Sequence, residues 1–417
     1  VTLLIAVESL VLAGWVCLAL YGLMLSIVTW VTKRREAPLI HPRHVFAVVI
    51  PTTNAERIIG RTLDRLSRSI RYPHGMFDFI VVPVNSTDRT TTIAKQKGAI
   101  VYGPGKRRWR DRNDAIQSAL ERLASKNKYD AYAILDPRAD VSPGYLAVLS
   151  DKLSKGAKII QTGYRFAGSS KSWKAALAAA LHAISPSLFI LWSGRFRLAV
   201  GLRRIGVCLT KEVVEKYGVR SPSITDGVPY MTRLLRDDVA ITFAAKAIVY
   251  DHGHTNPPIR SFRRQLAMRW RLLRNDAMAL IRDGYEWRSG AQMTGGVNLL
   301  IPPLSILFIG AVLLLGLSGY MHGTTLNPMS ADSMLVLGWE IIVAVLLSLV
   351  LCRLVLIRAP VLSYMALPTL PLYVLWRSLQ SWRWERSRRS SPRPQQPRQS
   401  RKGSGPRRRP VQRRRAK

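Results

Sequence analysis

Cysteine is nearly absent: three in 417 residues, at 17, 208 and 352. Cys17 and Cys352 fall in apolar runs and Cys208 stands alone, which excludes a disulfide framework and a thiolate metal site. Acids are scarce as well, with 25 Asp and Glu against 63 Lys and Arg, a formal net charge of +38. That charge takes its meaning from where it sits. From Arg383 to Lys417 fifteen basic residues face one acid, Glu385, among Pro, Ser and Gln that cannot build a core. The tail 382–417 is therefore expected to be disordered. It lacks any aromatic residue after Trp384, which removes the stacking platform of a single-strand nucleic-acid binder and favours contact with anionic membrane lipids.

Charge is missing or sparse in three longer stretches, the third of which is interrupted only by Glu340 and Arg353. Leu10 to Val31 carries none, and its 22 residues reach about 33 Å as a helix, enough for a bilayer core. A secretory signal would place basic residues before such a run, whereas Lys33, Arg34 and Arg35 follow it. Residues 1–36 are read as an anchor with its C-terminal side in the cytoplasm. Val297 to Gly319 and Met334 to Ile357 are also long enough to span, and the loop Tyr320 to Ser333 between them has no Lys or Arg, which puts it outside. Pro360 to Trp376 holds Pro360, Pro368 and Pro371 and precedes the basic tail. It is read as interfacial or re-entrant, with a third C-terminal span within 297–377 as the alternative. These features imply a multi-pass protein of the cell (inner) membrane.

Residues 41–255 alternate short β-rich runs with helical stretches, the pattern of an α/β, doubly wound, largely parallel sheet. Strands are expected at Phe46–Pro51, Asp78–Val84, Ala99–Tyr102, Ala131–Leu135 and Lys158–Gln161. Helices are expected at Ala55–Ser69, Arg112–Leu123 and Pro143–Leu153, and one after the second strand that Thr87 or Asp88 caps. Such sheets bind ligands beyond the carboxyl ends of their strands, so Thr52–Glu56, Asn85–Asp88 and Asp136–Asp140 should share one crevice. Within 256–290, Ile259, Phe262, Leu266, Trp270, Leu273, Ala277 and Leu280 recur every three or four residues, with arginines on the other faces. This predicts an amphipathic helix, either on the membrane surface or packed on the domain, and its position before a span favours the first. Asp251, His252 and His254 could suggest a metal site, but strand-end alternation explains them more simply.

Several segments together resemble the membrane-bound family-2 glycosyltransferases, the group of cellulose and poly-N-acetylglucosamine synthases. They are Ile50–Glu56, Val81–Thr90, Ile134–Leu146, Gln161–Tyr164, Gly201–Val213, Ser223–Leu235 and the pair Arg269-Trp270. The resemblance implies a Rossmann-like GT-A-type domain on the cytosolic face, beside transmembrane helices. It further implies a nucleotide-sugar donor and a lipid or polysaccharide acceptor. Thr52, Asn54, Glu56, Asn85, Arg112, Asp136 and Arg138 would then line the donor site, and Gln265, Arg269 and Trp270 would flank the acceptor and diphosphate.

The chemistry needs a carboxylate base for the acceptor hydroxyl and a cation for the departing diphosphate. Where the family holds Mg or Mn with two aspartates two residues apart, this chain reads Asp136-Pro137-Arg138. Asp136 is then the single remaining metal ligand, and either metal and diphosphate binding are weakened or Arg138 pairs with the diphosphate directly. The base motif reads Thr225-Asp226-Gly227, with glycine where the catalytic aspartate belongs and Asp226 as the one adjacent carboxylate. Gln265 lies five residues before Trp270 instead of four, Val84 replaces an aspartate, and Thr53 and Ala55 replace a histidine and a glutamate. Asp111-Arg112-Asn113 stands for Gly-Lys-Gly and leaves Arg112 to contact phosphate. Two functions follow: an active transferase, or a catalytically silent homologue serving a membrane protein partner as an assembly or regulatory subunit.

Overall fold

The computed structural model describes residues 2–32, 43–103, 108–167, 173, 176, 202, 205–218, 227–252, 270–301, 304–322, 331–356 and 359–369. Strand β1 (Phe46–Thr52) is buried at every position. An apolar run without alternation is what a central strand covered on both faces requires. β1 pairs in parallel with β2 (Phe77–Pro83) on one side and with β4 (Ala131–Ile134) on the other, and β2 pairs in parallel with the short β3 (Ile100–Val101). Helices α2 (Ile59–Ser69), α3 (Thr90–Gln96) and α4 (Arg112–Ala124) connect them in chain order.

Alternate β1 residues serve two separate cores. Ala47 and Val49 pack with Ile116, Leu120 and Leu123 of α4, while Phe46, Val48 and Ile50 pack with Leu63 and Leu66 of α2. Leu146 and Leu149 of α5 (Tyr145–Ser154) join the second core. Helices therefore cover both faces, as the period-two placement of side chains dictates. Each such aliphatic side chain, fully withdrawn from water, contributes about 1.5–3 kcal/mol.

The rest of the sheet departs from the expected parallel pattern. β6 (Ile159–Phe166) pairs in parallel with β8 (Ile241–Asp251), but β7 (Val207–Thr210) inserts antiparallel between β4 and β6. β5 (Ala139–Val141) adds antiparallel to β8 at the edge, giving the order β3-β2-β1-β4-β7-β6-β8-β5. β7 is four residues and β5 three, too short to display a period. Cys208, buried in β7, has its thiol pushed up by desolvation and is a core residue.

After α6 (Lys211–Tyr217) and α7 (Val228–Arg236), a π-helical turn at Leu273–Ala277 runs into α8 (Met278–Glu286), which folds back on α9 (Gly290–Leu300). Ala277, Leu280, Ala291 and Leu299 belong to the same core as Ala47 and Val49. Gln292 Nε2 donates to Leu235 O at 2.9 Å, and a Cβ on Gly296 would lie 2.7 Å from Ala277 O, so only glycine permits this approach. The apolar stripe expected to lie on a membrane surface is thus turned, at Ala277 and Leu280, into the α/β domain. Its residues 259–269 lie outside the described set. Trp270, Met278, Tyr285 and Trp287 are exposed, so the stripe is not buried along its whole described length.

Helix α1 (Thr2–Thr32) packs with α10 (Leu304–His322) and α11 (Ala331–Leu356). The rings of Trp15 and Trp339 meet edge-on at 6.0 Å, Trp15 Nε1 donates to Leu307 O at 3.4 Å, and Trp339 Nε1 donates to Glu8 at 3.0 Å. The helix expected over Val297–Gly319 is broken instead. Ile301 takes φ −71 and ψ 123, because a residue preceding proline, here Pro302, is sterically disfavoured from helical geometry. α1 and α11 contain segments long and apolar enough to cross a membrane, Ile5–Met24 and Ser333–Cys352, and α10 a shorter one, Leu307–Met321. From Pro360 onward the described part is one helical turn at Leu362–Met365 and a 3-10 turn at Leu367–Thr369, and residues 370–417 lie outside it.

Candidate donor site

β1 leads outward to β2 and β3 on one side and to β4 on the other, so strand order reverses between β1 and β4. Crevices open at such a reversal, beyond the carboxyl ends of the strands. Thr52 ends β1 with a fully buried side chain whose hydroxyl has no hydrogen-bond partner among the described residues. Its carbonyl accepts from Val84 N at 2.6 Å and ties the first loop to the second.

Asn54 and Glu56, expected to line the crevice, are spent largely on joining those loops. Asn54, at φ +45, donates its N–H to Ser86 Oγ at 3.1 Å and accepts from Thr87 N through Oδ1 at 3.0 Å. Glu56 Oε2 accepts from Arg89 N at 3.2 Å, and Glu56 N donates to Asp88 Oδ2 at 2.9 Å. The N-cap position of α3 is Arg89, without a side-chain cap, and Asp88 instead closes the turn just before it: its Oδ1 accepts from Thr90 N at 3.1 Å and from Thr90 Oγ1 at 2.6 Å. Asn85, at φ +49, donates Nδ2 to Trp109 O at 2.8 Å and so reaches the segment that leads into α4.

Burial works against the Asp88 charge, but the Thr90 hydroxyl and the N–H groups of Glu56 and Thr90 outweigh it and hold the carboxyl below its ordinary range. A lowered folded value stabilises the loop junction above the unfolded pKa of about 3.9 and loses that contribution as pH falls through the folded value. The protection of the Glu56 and Thr90 amides from hydrogen exchange, taken relative to the intrinsic rate at each pH, should therefore fall below about pH 4. Asp88→Asn should show the lower protection already at neutral pH.

Arg112 opens α4, whose N-cap Asp111 accepts from Asp114 N at 2.8 Å. From there its Nη2 reaches Asp136 Oδ2, just beyond the end of β4, at 3.4 Å. The Asp136 side chain is 7% exposed and that of Arg112 37%. Asp136 Oδ1 accepts from Arg138 N at 3.2 Å, and Thr62 Oγ1 fixes the same turn through Pro137 O at 2.5 Å. Sequence reasoning named Arg112 and Asp136 separately and missed their pairing and the roles of Thr62 and Trp109, which depend on long-range packing.

This donor set does not fit Mg or Mn. Such ions require several oxygen ligands at about 2.1 Å, whereas among the described residues Asp136 is the one carboxylate left in this motif, with Oδ2 on the Arg112 guanidinium and Oδ1 on the Arg138 backbone N–H. Among the described residues no three His, Cys, Asp or Glu side chains converge on a cation site. Asp251 instead accepts from Tyr164 Oη at 2.8 Å, and His254 lies outside the described residues.

Gly227 is described and informative. It adopts φ +44 and ψ −76, and a Cβ there would stand 2.5 Å from Leu202 O. The position expected to bear the base therefore has neither the conformation nor the room for a side chain. Asp226, Gln265 and Arg269 lie outside the described residues. Trp270 begins the described part of its helix, 64% exposed.

The model of the family described as glycosyltransferase like family 2 matches residues 42–272. No curated protein matches the sequence. Among solved structures the chain is similar to glucosyl-3-phosphoglycerate synthase from Mycobacterium tuberculosis in complex with Mn2+, uridine diphosphate and glucosyl-3-phosphoglycerate. That similarity has 18% identity and a TM-score of 0.37, over 54% of this chain and 78% of that one. It is also similar to a mannosyltransferase from Pyrobaculum calidifontis in complex with GDP-Man and Mn2+, with 13% identity and a TM-score of 0.45, over 84% of this chain and 98% of that one. The family match takes in all eight strands, the crevice between β1 and β4 and more than half of the sequence, and the chain belongs to the glycosyltransferase like family 2.

Proposed function

We propose that this chain is a membrane-bound glycosyltransferase that takes a nucleotide sugar in the crevice between β1 and β4 and passes the sugar to a lipid or polysaccharide acceptor at the cytosolic face. The observation that carries this reading is the meeting of the Thr52–Glu56 and Asn85–Asp88 loops with Arg112 and Asp136 where strand order reverses. Thr52, Asn54 and Asn85 bound the nucleotide side. Arg112, Arg138 and Asp136 handle the diphosphate, Asp226 serves as the base, and Gln265, Arg269 and Trp270 flank the acceptor. Catalysis then consists of positioning plus electrostatic stabilisation of the leaving group.

The apolar segments in α1, α10 and α11, with Lys33, Arg34 and Arg35 after the first, support a multi-pass inner-membrane location with the α/β domain and basic tail in the cytoplasm. The protein should remain in the membrane pellet after alkaline carbonate washing; release into the supernatant would contradict the spans. Truncation after Trp384 should weaken binding to anionic vesicles, and the lost component should be the salt-sensitive one.

Gly227 favours a second reading, a catalytically silent subunit, since no carboxylate fits where the family base would stand. The full chain in lipid nanodiscs, incubated with a panel of nucleotide sugars and membrane extract, separates the two. Release of nucleoside diphosphate coupled to acceptor labelling supports the enzyme. Donor binding with no release for any sugar supports the silent subunit.

A further inference from the structure

We infer that the crevice neutralises the donor diphosphate with the guanidinium groups of Arg112 and Arg138 in place of a divalent cation, so that donor binding needs no metal. The inference rests on the glycosyltransferase reading above and adds how the leaving group is held.

Asp136 changes role in this account. A buried carboxylate with Oδ2 on Arg112 Nη2 and Oδ1 on the Arg138 backbone N–H orients the Arg112 guanidinium and fixes the turn that carries Arg138. A metal seeking Asp136 would have to displace the Arg112 guanidinium and would meet a second arginine two residues away. Charge accounting points the same way. Two carboxylates and a divalent ion sum to zero, whereas one carboxylate and two guanidiniums leave one positive charge facing the anion.

The geometry prepares Arg112 for that task. Its backbone is held at the start of α4 by the Asp111 cap, and the preceding segment is pinned to the β2 loop through Asn85 and Trp109. Its side chain stays 37% exposed while it touches Asp136, so it is oriented by the carboxylate and open to the crevice. Guanidinium is a planar, permanently charged donor fork that suits phosphate oxygens, and unlike a metal it brings no exchangeable ligands. During transfer the acceptor oxygen bonds to the anomeric carbon and the bond from that carbon to the β-phosphate oxygen breaks. The electron pair remains on the diphosphate, where the two arginines stabilise it, and the acceptor proton passes to the base.

Calorimetric titration of the detergent-solubilised full chain with UDP, GDP, ADP and CDP tests this, each in excess EDTA and again with Mn2+. At least one nucleotide should bind, with affinities in the two conditions agreeing within about twofold. Arg112→Gln should weaken that binding roughly tenfold to a hundredfold, the effect of losing a charge-assisted hydrogen bond. Arg138→Asp, which rebuilds the paired carboxylates, should bind poorly in EDTA and recover with Mn2+. Wild-type binding that appears only with Mn2+ overturns the metal-free site and leaves the glycosyltransferase reading standing. Binding of no nucleotide in either condition overturns that reading itself.

Discussion

Gly227→Asp, the substitution that restores the family's base in sequence, is expected to destabilise the protein by about 3 kcal/mol and to leave turnover no higher. The reason is the backbone. At φ +44 and ψ −76 an L side chain is strained, at a cost of order 1–3 kcal/mol. A Cβ 2.5 Å from Leu202 O must then push backbone aside, because a carbonyl cannot rotate away as a flexible side chain can. Gly227 also leads α7: its carbonyl accepts from Met231 N at 2.9 Å, and Pro229 follows in the first turn, so a shift propagates into a helix whose Tyr230, Leu234 and Leu235 are fully buried. Gly227→Ala should show most of the same loss in thermal unfolding, which separates backbone strain from the added charge. An aspartate variant as stable as the parent and faster in transfer would mean that this turn adopts another conformation.

Asp226→Asn carries the second large expectation. If the adjacent carboxylate deprotonates the acceptor hydroxyl, its amide should lower the rate of transfer by roughly a hundredfold to ten-thousandfold, the range for removing a general base. Donor affinity should stay within about twofold, since the donor phosphates are assigned to Arg112 and Arg138. Asp226→Glu keeps the base and lengthens it by one methylene, so it should recover part of the rate. An unchanged rate in Asp226→Asn removes this residue from the mechanism and leaves the acceptor itself, or a group outside the described residues, to move the proton.

The fold was legible where sequence periodicity is strongest. β1, β2 and β4 with α2, α4 and α5 lie within a few residues of their expected positions, because unbroken apolar runs and amphipathic helices leave local signatures. β5 and β7 were not legible as antiparallel strands: three or four residues cannot display a period, and their direction is set by pairing with β8, β4 and β6. The break at Ile301 was available in the sequence through Pro302 and was outweighed by the apolar run around it. The packing of the helix within 256–290 was likewise beyond local pattern. Periodicity shows that Ala277 and Leu280 share a face, but only tertiary packing shows that the face meets the domain core.

At the site, sequence named Thr52, Asn54, Glu56, Asn85, Arg112, Asp136 and Arg138 by family position. The structure brings the segments that hold these residues together and redistributes their work. Asn54, Glu56 and Asp88 fasten one strand-end loop to the next. Arg112 and Asp136 form a pair across 24 residues of sequence that no local pattern announces. Gly227, read as a loss, is a conformational requirement of its turn.

The central claim is the place of the donor, and photoaffinity labelling reads it directly. The full chain in nanodiscs is irradiated with 5-azido-UDP-glucose, or with the azido analogue of whichever nucleotide binds, and the modified peptides are identified by mass spectrometry. The account predicts labels within residues 52–56, 85–88 or 108–112, each suppressed by an excess of the unmodified nucleotide. Competable labels confined to other surfaces, such as the hollow between α4 and α6 lined by Glu121, Tyr217 and Arg233, would contradict it.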